Sequence, residues 1–119
     1  MPKNAVGQKG EQIARAFLLK HKYEILAANY STRQGELDIV ARKGGELVFV
    51  EVKARTNEKF GAAAEAVTRT KRRRVMSAAL SYIKEERPPF TSYRFDVIEV
   101  YFMPGGEGIN HIVAAFTYD

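Results

Sequence analysis

Two strand-like segments joined by Gly44-Gly45 constrain the fold of this 119-residue chain more than any other feature. Consecutive glycines readily adopt the positive φ angles that a two-residue hairpin turn requires. Residues 47–52 are apolar at every position except Glu51, whereas a strand with one face in water alternates apolar and polar residues. The pattern predicts a hairpin of strands 36–42 and 46–55, and the second should be a central strand covered on both faces.

The segments on either side of the hairpin complete an α/β pattern. Apolar residues at helical spacing predict helices over residues 7–22 and 63–86, and Pro88-Pro89 ends the second. Shorter segments predict strands at residues 23–28, 93–102 and 109–116, with loops at residues 29–35 and 104–108. We therefore expect one domain over residues 1–119, an α/β fold with a mixed central β-sheet flanked by helices.

Composition narrows the classes of function. The chain contains no cysteine, which excludes Cys-based zinc sites, thiol catalysis and a disulfide scaffold. Residues 1–5 lack the apolar segment of a signal peptide, and no apolar run approaches membrane-spanning length. We expect a cytoplasmic protein with no membrane association.

Positive charge is concentrated in one segment of a chain whose formal net charge is +5. Five of six consecutive residues are basic: Arg69, Lys71, Arg72, Arg73 and Arg74. No acidic residue separates them, so they repel one another, and a nucleic-acid backbone is a better partner for them than water alone. A solvated helix face is the alternative interpretation.

The predicted hairpin also brings two carboxylates together. Counting back from the turn places Asp38 opposite Glu51, and opposed residues of an antiparallel pair have Cβ atoms roughly 4.5–5.5 Å apart on one face. Lys53, two residues beyond Glu51, lies on the same face. Two carboxylates this close repel each other unless a proton or cation intervenes, and Mg²⁺ is a natural solution. Such an ion polarises a phosphodiester, and a neighbouring lysine would position the attacking water.

The same residues allow a simpler interpretation. Glu51 and Lys53 could belong to a solvated strand face, where Glu36, opposite Lys53 in this register, would supply a cross-strand ion pair. The flanking residues argue against it, because Leu37 and Ile39 surround the charges with apolar side chains and charges are seldom buried without partners.

Two helix residues border packed faces. Glu11 precedes Ala14 and Leu18 at helical spacing, so it is either a third carboxylate near the metal or an N-terminal helix carboxylate stabilised by the dipole. Lys71 precedes Val75 at the same spacing and lies at the margin of its packed face.

Three further polar residues carry weaker predictions. His21 and His111 lack metal-ligand spacing, so we interpret them as surface or packing residues. Asp96 lies in an apolar strand, where it either supports the candidate site or occupies a polar position at a strand edge.

These residues resemble the YraN-type family of small bacterial proteins, which is assigned to the restriction-endonuclease-like superfamily and is similar to archaeal Holliday junction resolvases. The specific part of the resemblance is the block from Gly35 to Lys53. Looser matches occur at Gly10-Glu11, Arg55, Phe60-Gly61, Ala66-Val67, Lys71, Arg94-Phe95-Asp96 and Ala115-Phe116.

The superfamily's PD-(D/E)-x-K pattern implies a role for each matching residue. Asp38 and Glu51 would bind the metal, and Lys53 would be the catalytic lysine. Glu11 resembles a helix glutamate that resolvase-like members add to the metal site, and Lys71 resembles a helix residue used near the scissile phosphate. Leu37 departs from the pattern, which has proline before the aspartate.

The resemblance implies a restriction-endonuclease-like fold and a Mg²⁺- or Mn²⁺-dependent endonuclease acting on DNA, with branched or damaged DNA as substrate and DNA repair as role. A homodimer would suit a protein that cuts two strands. Two alternatives stay open: a non-catalytic nucleic-acid-binding module that retains the nuclease fold, and a protein-interaction adaptor whose basic helix meets an acidic partner.

Overall fold

The computed structural model describes residues 4–56 and 68–117. In these ranges the order of elements is the predicted one: a helix, three strands, a helix and two strands. They are α1 (Ala5–Lys20), β1 (Glu24–Ser31), β2 (Glu36–Lys43), β3 (Glu46–Thr56), α2 (Arg69–Glu86), β4 (Ser92–Met103) and β5 (Gly106–Phe116). Residues 63–67 of the second predicted helix, and the matches at Phe60-Gly61 and Ala66-Val67, lie outside the described residues.

The five strands form one mixed sheet in the order β1-β2-β3-β4-β5, which confirms the predicted α/β class. Strands β3 and β4 are parallel, and the other neighbouring pairs are antiparallel. Gly44 and Gly45 have φ angles of 56° and 83° and form the predicted turn. The β2–β3 ladder runs from Lys43↔Glu46 to Ile39↔Val50, the register that sequence counting gave.

Each face of the sheet is covered by one helix. On the α2 face, Leu47 and Phe49 of β3 pack with Val75 of α2. On the α1 face, Val48 and Val50 pack with helix residues such as Leu18. Strand β3 is therefore buried on both sides, as predicted from its apolar run.

Local side chains set the ends of the helices. The Asn4 side chain accepts a hydrogen bond from the Gly7 amide at 2.7 Å and caps α1. Thr68 caps α2 in the same way, with its hydroxyl accepting from the Lys71 amide at 3.1 Å. Arg87 adopts a left-handed conformation with φ 48° directly before Pro88-Pro89, so α2 ends there. No helix among the described residues combines the length and apolarity needed to cross a membrane.

The edge strands differ from the sequence prediction. Strand β1 continues to Ser31, although residues from Asn29 onward were predicted as loop. It does so with a register shift between Ile25 and Ala27 and with a positive φ of 52° at Asn29, irregularities that mask the usual strand pattern. The predicted loop 104–108 is shorter than expected, because β5 already begins at Gly106.

Strand β5 is irregular as well. Its register shifts opposite Phe95 and Val97 of β4, and Ala114 there has a φ of 52°. Both edges of the described sheet therefore carry a bulge.

Gly10 allows α1 to approach the sheet closely. A Cβ atom at this position would lie 2.9 Å from the Cβ of Ala54 on β3. We expect Gly10→Val to lower the free energy of unfolding by about 1–3 kcal/mol, because the added atoms overpack this contact. Denaturant unfolding measures the loss. Ala16→Val, at an exposed position of the same helix, is the control, and equal losses in the two variants would contradict the close-packing explanation.

Candidate active site

Asp38 and Glu51 lie next to Ile39↔Val50, the last pair of the β2–β3 ladder, and Glu51 follows Phe49 on the α2 face. Both side chains are buried, with 8% and 1% of their surfaces exposed. One carboxylate oxygen of Asp38, Oδ2, accepts a hydrogen bond from the backbone N–H of Val52 at 2.9 Å. The Asp38 carboxylate therefore binds the backbone of β3 just beyond the paired part of the hairpin, and the predicted pairing of Asp38 with Glu51 is not part of the β2–β3 ladder.

The Glu51 carboxylate is buried with few polar partners. Neither of its buried oxygens accepts a hydrogen bond of normal geometry from the described residues. Its ion-pair partner among them is Lys71, whose Nζ lies 3.5 Å from Oε1. Burial and the charge of Asp38 raise the pKa of Glu51 to about 7, although Lys71, Lys53 and a contact with the backbone amide of Asp38 act in the opposite direction. The site therefore favours a proton or a cation at Glu51.

Lys53 lies two residues further along β3 on the same face, as predicted. Burial and the nearby ammonium of Lys71 lower the pKa of Lys53, whereas Glu51 and Asp38 oppose the shift. The alternative ion pair with Glu36 does not form, because Glu36 is exposed and instead accepts a hydrogen bond from the Ser31 hydroxyl at 3.3 Å. A lysine with a lowered pKa is a better proton acceptor than an ordinary one.

Helix α2 brings Lys71 to the site. The predicted position at the margin of a packed face agrees with the ion pair to Glu51 and with burial of Val75 one turn later. Gly35 permits the close approach of this helix to the start of β2, since a Cβ there would lie 3.2 Å from the Cβ of Arg74. A larger residue before Glu36 would push the helix and the site apart.

Glu11 has a different environment. It lies on α1, which packs against the opposite face of the sheet, and only 3% of its side chain is exposed. Its Oε1 atom accepts hydrogen bonds from Asn29 Nδ2 at 2.6 Å and from Arg15 Nη1 at 3.2 Å. Within residues 4–56 and 68–117, no three carboxylate or imidazole side chains are grouped closely enough to form a ready metal site.

Glu99 is a buried carboxylate that the sequence analysis missed. It is the register partner of Lys53 in the parallel β3–β4 pair and therefore lies beside Lys53 on the α2 face. The Tyr101 hydroxyl donates to its Oε2, and Asn110 Nδ2 donates to its Oε1 at 2.6 Å. Its charge inside the apolar run 97–101 could have drawn attention to Glu99. Its position next to Lys53, however, depends on the pairing of two strands that are distant in sequence.

Asp96 does not support the candidate site, because it pairs with Val50 and shares the α1 face. The side chain is completely buried. Its carboxylate accepts hydrogen bonds from Arg94 Nε at 2.9 Å and from the Ala114 amide at 2.9 Å, and it contacts His111 Nε2 at 2.7 Å. The interpretation of His111 as a packing residue agrees with this network.

His21 is exposed at the end of α1, which agrees with its interpretation as a surface residue. Its Nδ1 atom lies 2.8 Å from the carbonyl oxygen of Phe17.

The predicted nucleic-acid-binding residues lie on the first two turns of α2. Lys71 faces Glu51, whereas Arg69, Arg73 and Arg74 are exposed and Arg72 is partly exposed. Of the five basic residues, Lys71 therefore contacts the candidate site, and the four arginines are accessible to solvent to different degrees.

Comparisons with known proteins identify relatives over nearly the whole chain. A family model described as "Uncharacterised protein family UPF0102" matches residues 10–100, a segment that contains all the candidate site residues. A UPF0102 protein of Geobacter metallireducens is 44% identical over 112 residues, 94% of this chain and 92% of the relative. A UPF0102 protein of Caldicellulosiruptor saccharolyticus is 43% identical over 118 residues, 98% of this chain and all of the relative (100%). The chain therefore belongs to the UPF0102 (YraN-like) family.

Proposed function

We propose that this chain is a metal-dependent nuclease with a restriction-endonuclease-like fold, which hydrolyses phosphodiester bonds in DNA. The observation that carries the proposal is the buried Glu51 carboxylate, which faces Asp38 and lacks hydrogen-bond partners of normal geometry among the described residues. Above neutral pH a divalent cation offsets the repulsion between these two carboxylates better than a proton does, because it attracts both of them at once.

Asp38 and Glu51 would hold Mg²⁺ or Mn²⁺, since both supply hard oxygen ligands and the charge of Asp38 acts on Glu51. When bound, the ion supplies positive charge that polarises the scissile phosphodiester and makes water a better nucleophile. Glu11 as a third ligand stays a prediction, because its carboxylate lies on the α1 side of the sheet and accepts hydrogen bonds from Asn29 and Arg15 there.

The two lysines have separable tasks in this proposal. Lys53, with its lowered pKa and its place next to Glu51, would orient the attacking water and accept its proton. Lys71, which reaches the carboxylates from α2, would neutralise charge on the phosphate. The arginines of α2 favour nucleic acid as the substrate. The resemblance to resolvase-like nucleases implies branched or damaged DNA as its form, and a homodimer would suit a protein that cuts two strands.

A cleavage panel tests the proposal. It covers single-stranded, duplex, flapped and four-way DNA in the presence of Mn²⁺, with wild type and Lys53→Ala side by side. We expect at least one substrate to be cleaved, and the rate to fall by on the order of 10²–10³-fold in Lys53→Ala, because a positioning and charge-stabilising group is lost.

Lys84→Ala, at an exposed position near the other end of α2, is the matched control and should cleave like wild type. Cleavage that survives Lys53→Ala would show that the activity comes from another site or another protein. Binding of DNA without cleavage of any substrate would favour the non-catalytic binding module instead.

A further inference from the structure

The basic residues of α2 point in different directions. Lys71 forms an ion pair with Glu51 in the candidate site. Because successive helix residues are rotated by about 100°, Arg72 and Arg73 are directed away from it, and Arg69 lies one turn below Arg73. These three arginines line a cleft of about 200 Å³ between α2 and the end of the sheet, together with Met76 and Thr117.

The cleft is strongly cationic. Among the described residues, none of its three arginines forms an ion pair with a carboxylate, whereas Lys71 has Glu51 and Arg94 has Asp96 and Glu46. Helix α2 contains no acidic residue before Glu85, so the repulsion between the guanidinium groups is not offset within the helix. Three uncompensated arginines around one concave surface favour an anionic ligand.

The shape and chemistry of the cleft indicate which anion fits. Guanidinium groups bind phosphate oxygens in a bidentate manner, and Thr117 adds a hydroxyl to the lining. The cleft of about 200 Å³ is smaller than the roughly 300–1,000 Å³ typical of pockets for free small molecules. A phosphate group of a longer chain therefore fits better than a free nucleotide.

We propose that this arginine cleft, formed by Arg69, Arg72 and Arg73, binds a backbone phosphate of a nucleic-acid strand whose neighbouring segment lies at Glu51, Lys53 and Lys71. The inference rests on the proposed function for its choice of ligand. The first turns of α2 would then hold the strand at two points, one at Lys71 next to Glu51 and the other in the arginine cleft. The cleft thus sets the position of the strand relative to the bond that is cut.

Binding without catalysis tests the inference. The probes are a fluorescein-labelled 20-nucleotide single-stranded DNA and an RNA of the same sequence, measured by fluorescence anisotropy in EDTA over a range of salt concentrations. The test variant is Arg69→Gln/Arg72→Gln/Arg73→Gln. The control variant, Lys20→Gln/Lys22→Gln/Lys84→Gln, removes the same charge from exposed positions elsewhere.

We expect the cleft variant to bind at least about tenfold more weakly and the magnitude of its salt slope, d log K/d log[salt], to fall by about 0.7, because one phosphate contact on a single strand is lost. The control should retain the slope of wild type. Loss of binding to both probes would show recognition of the phosphate backbone in general, and loss with DNA alone would show that the cleft selects DNA. Equal losses of affinity and slope in the two variants would overturn the inference.

The same variants separate this inference from the proposed function. If wild type fails to cleave DNA in Mn²⁺ while the cleft variant still loses binding, the nuclease proposal fails and the arginine cleft stands. If wild type cleaves and the cleft variant binds and cleaves like it, the nuclease proposal stands and the arginine cleft is wrong. Thermal unfolding of both variants verifies that they are folded.

Discussion

Replacement of Glu51 by glutamine is expected to stabilise the metal-free protein above neutral pH and, in the same variant, to remove Mn²⁺ binding at the site. The pKa of Glu51 is raised from 4.5 to about 7 in the folded chain, first by burial and then by the charge of Asp38. Below the pKa that Glu51 has in the unfolded chain, its carboxyl group is protonated in both the folded and the unfolded state, so its ionisation does not affect stability. As the pH rises from the unfolded pKa through the folded pKa, the free energy of unfolding of the wild type falls by up to about 3 kcal/mol, whereas that of the glutamine variant does not.

Denaturant unfolding in EDTA between about pH 4 and pH 8 measures the stability difference, which should grow with pH and level off above the folded pKa. Calorimetric titration with Mn²⁺ at pH 8 measures the metal site, and binding by wild type should release a proton more fully near neutral pH than above it. Glu107→Gln, at an exposed position, is the control and should change neither quantity.

Two results would contradict this account of Glu51. A stability difference that stays constant with pH would show that the carboxylate ionises normally in the folded protein. Equal binding of Mn²⁺ by wild type and Glu51→Gln would show that the ion binds elsewhere, and would remove the main support for the metal-dependent function.

Replacement of Asp96 by alanine is expected to have the largest effect on stability, a loss of about 3–5 kcal/mol. The change leaves the guanidinium of Arg94, most of which is buried, with Glu46 as its remaining carboxylate partner among the described residues, and it leaves the Ala114 amide without its acceptor. Burial alone would raise the pKa of Asp96, but the hydrogen bonds from His111, Arg94 and the Ala114 amide lower it overall. Its stabilising contribution is therefore present above the ordinary carboxyl pKa and lost as the pH falls through the folded value.

Denaturant unfolding at neutral pH and at acidic pH measures this contribution, which should shrink on acidification. Glu24→Ala, which breaks the exposed ion pair with Arg42, is the control and should cost less than about 1 kcal/mol. Because Asp96 lies on the α1 face, the folded fraction of Asp96→Ala should bind Mn²⁺ like wild type. Loss of Mn²⁺ binding by the folded variant would show that the two faces are coupled.

The parts of the fold and site that sequence predicted are those fixed by local pairing. Gly44-Gly45 defines a two-residue turn, so the register of β2 with β3 as far as Ile39↔Val50 follows from counting along two adjacent strands. Helical spacing likewise predicted that Lys71 lies at the margin of a packed face, but it did not identify Glu51 as the partner of Lys71.

The parts that sequence did not predict depend on contacts between distant segments. The position of Glu99 next to Lys53 depends on the parallel pairing of β3 with β4, and no turn connects those two strands to set their register. The same pairing puts Asp96 on the α1 face, away from the site. Glu11 accepts a hydrogen bond from Asn29, a residue of β1 with a positive φ angle. The residue pattern of the strand does not predict this irregularity.

The bulges in the two outer strands bear on how copies of this chain can associate. Straight, regular outer strands offer a row of free amides and carbonyls to a second sheet, which leads to sheet extension and aggregation. Here the register shifts in β1 and β5 and the positive φ angles at Asn29 and Ala114 interrupt those rows. A two-fold dimer that holds two DNA strands would therefore join through helix or loop surfaces rather than by merging two five-stranded sheets into one.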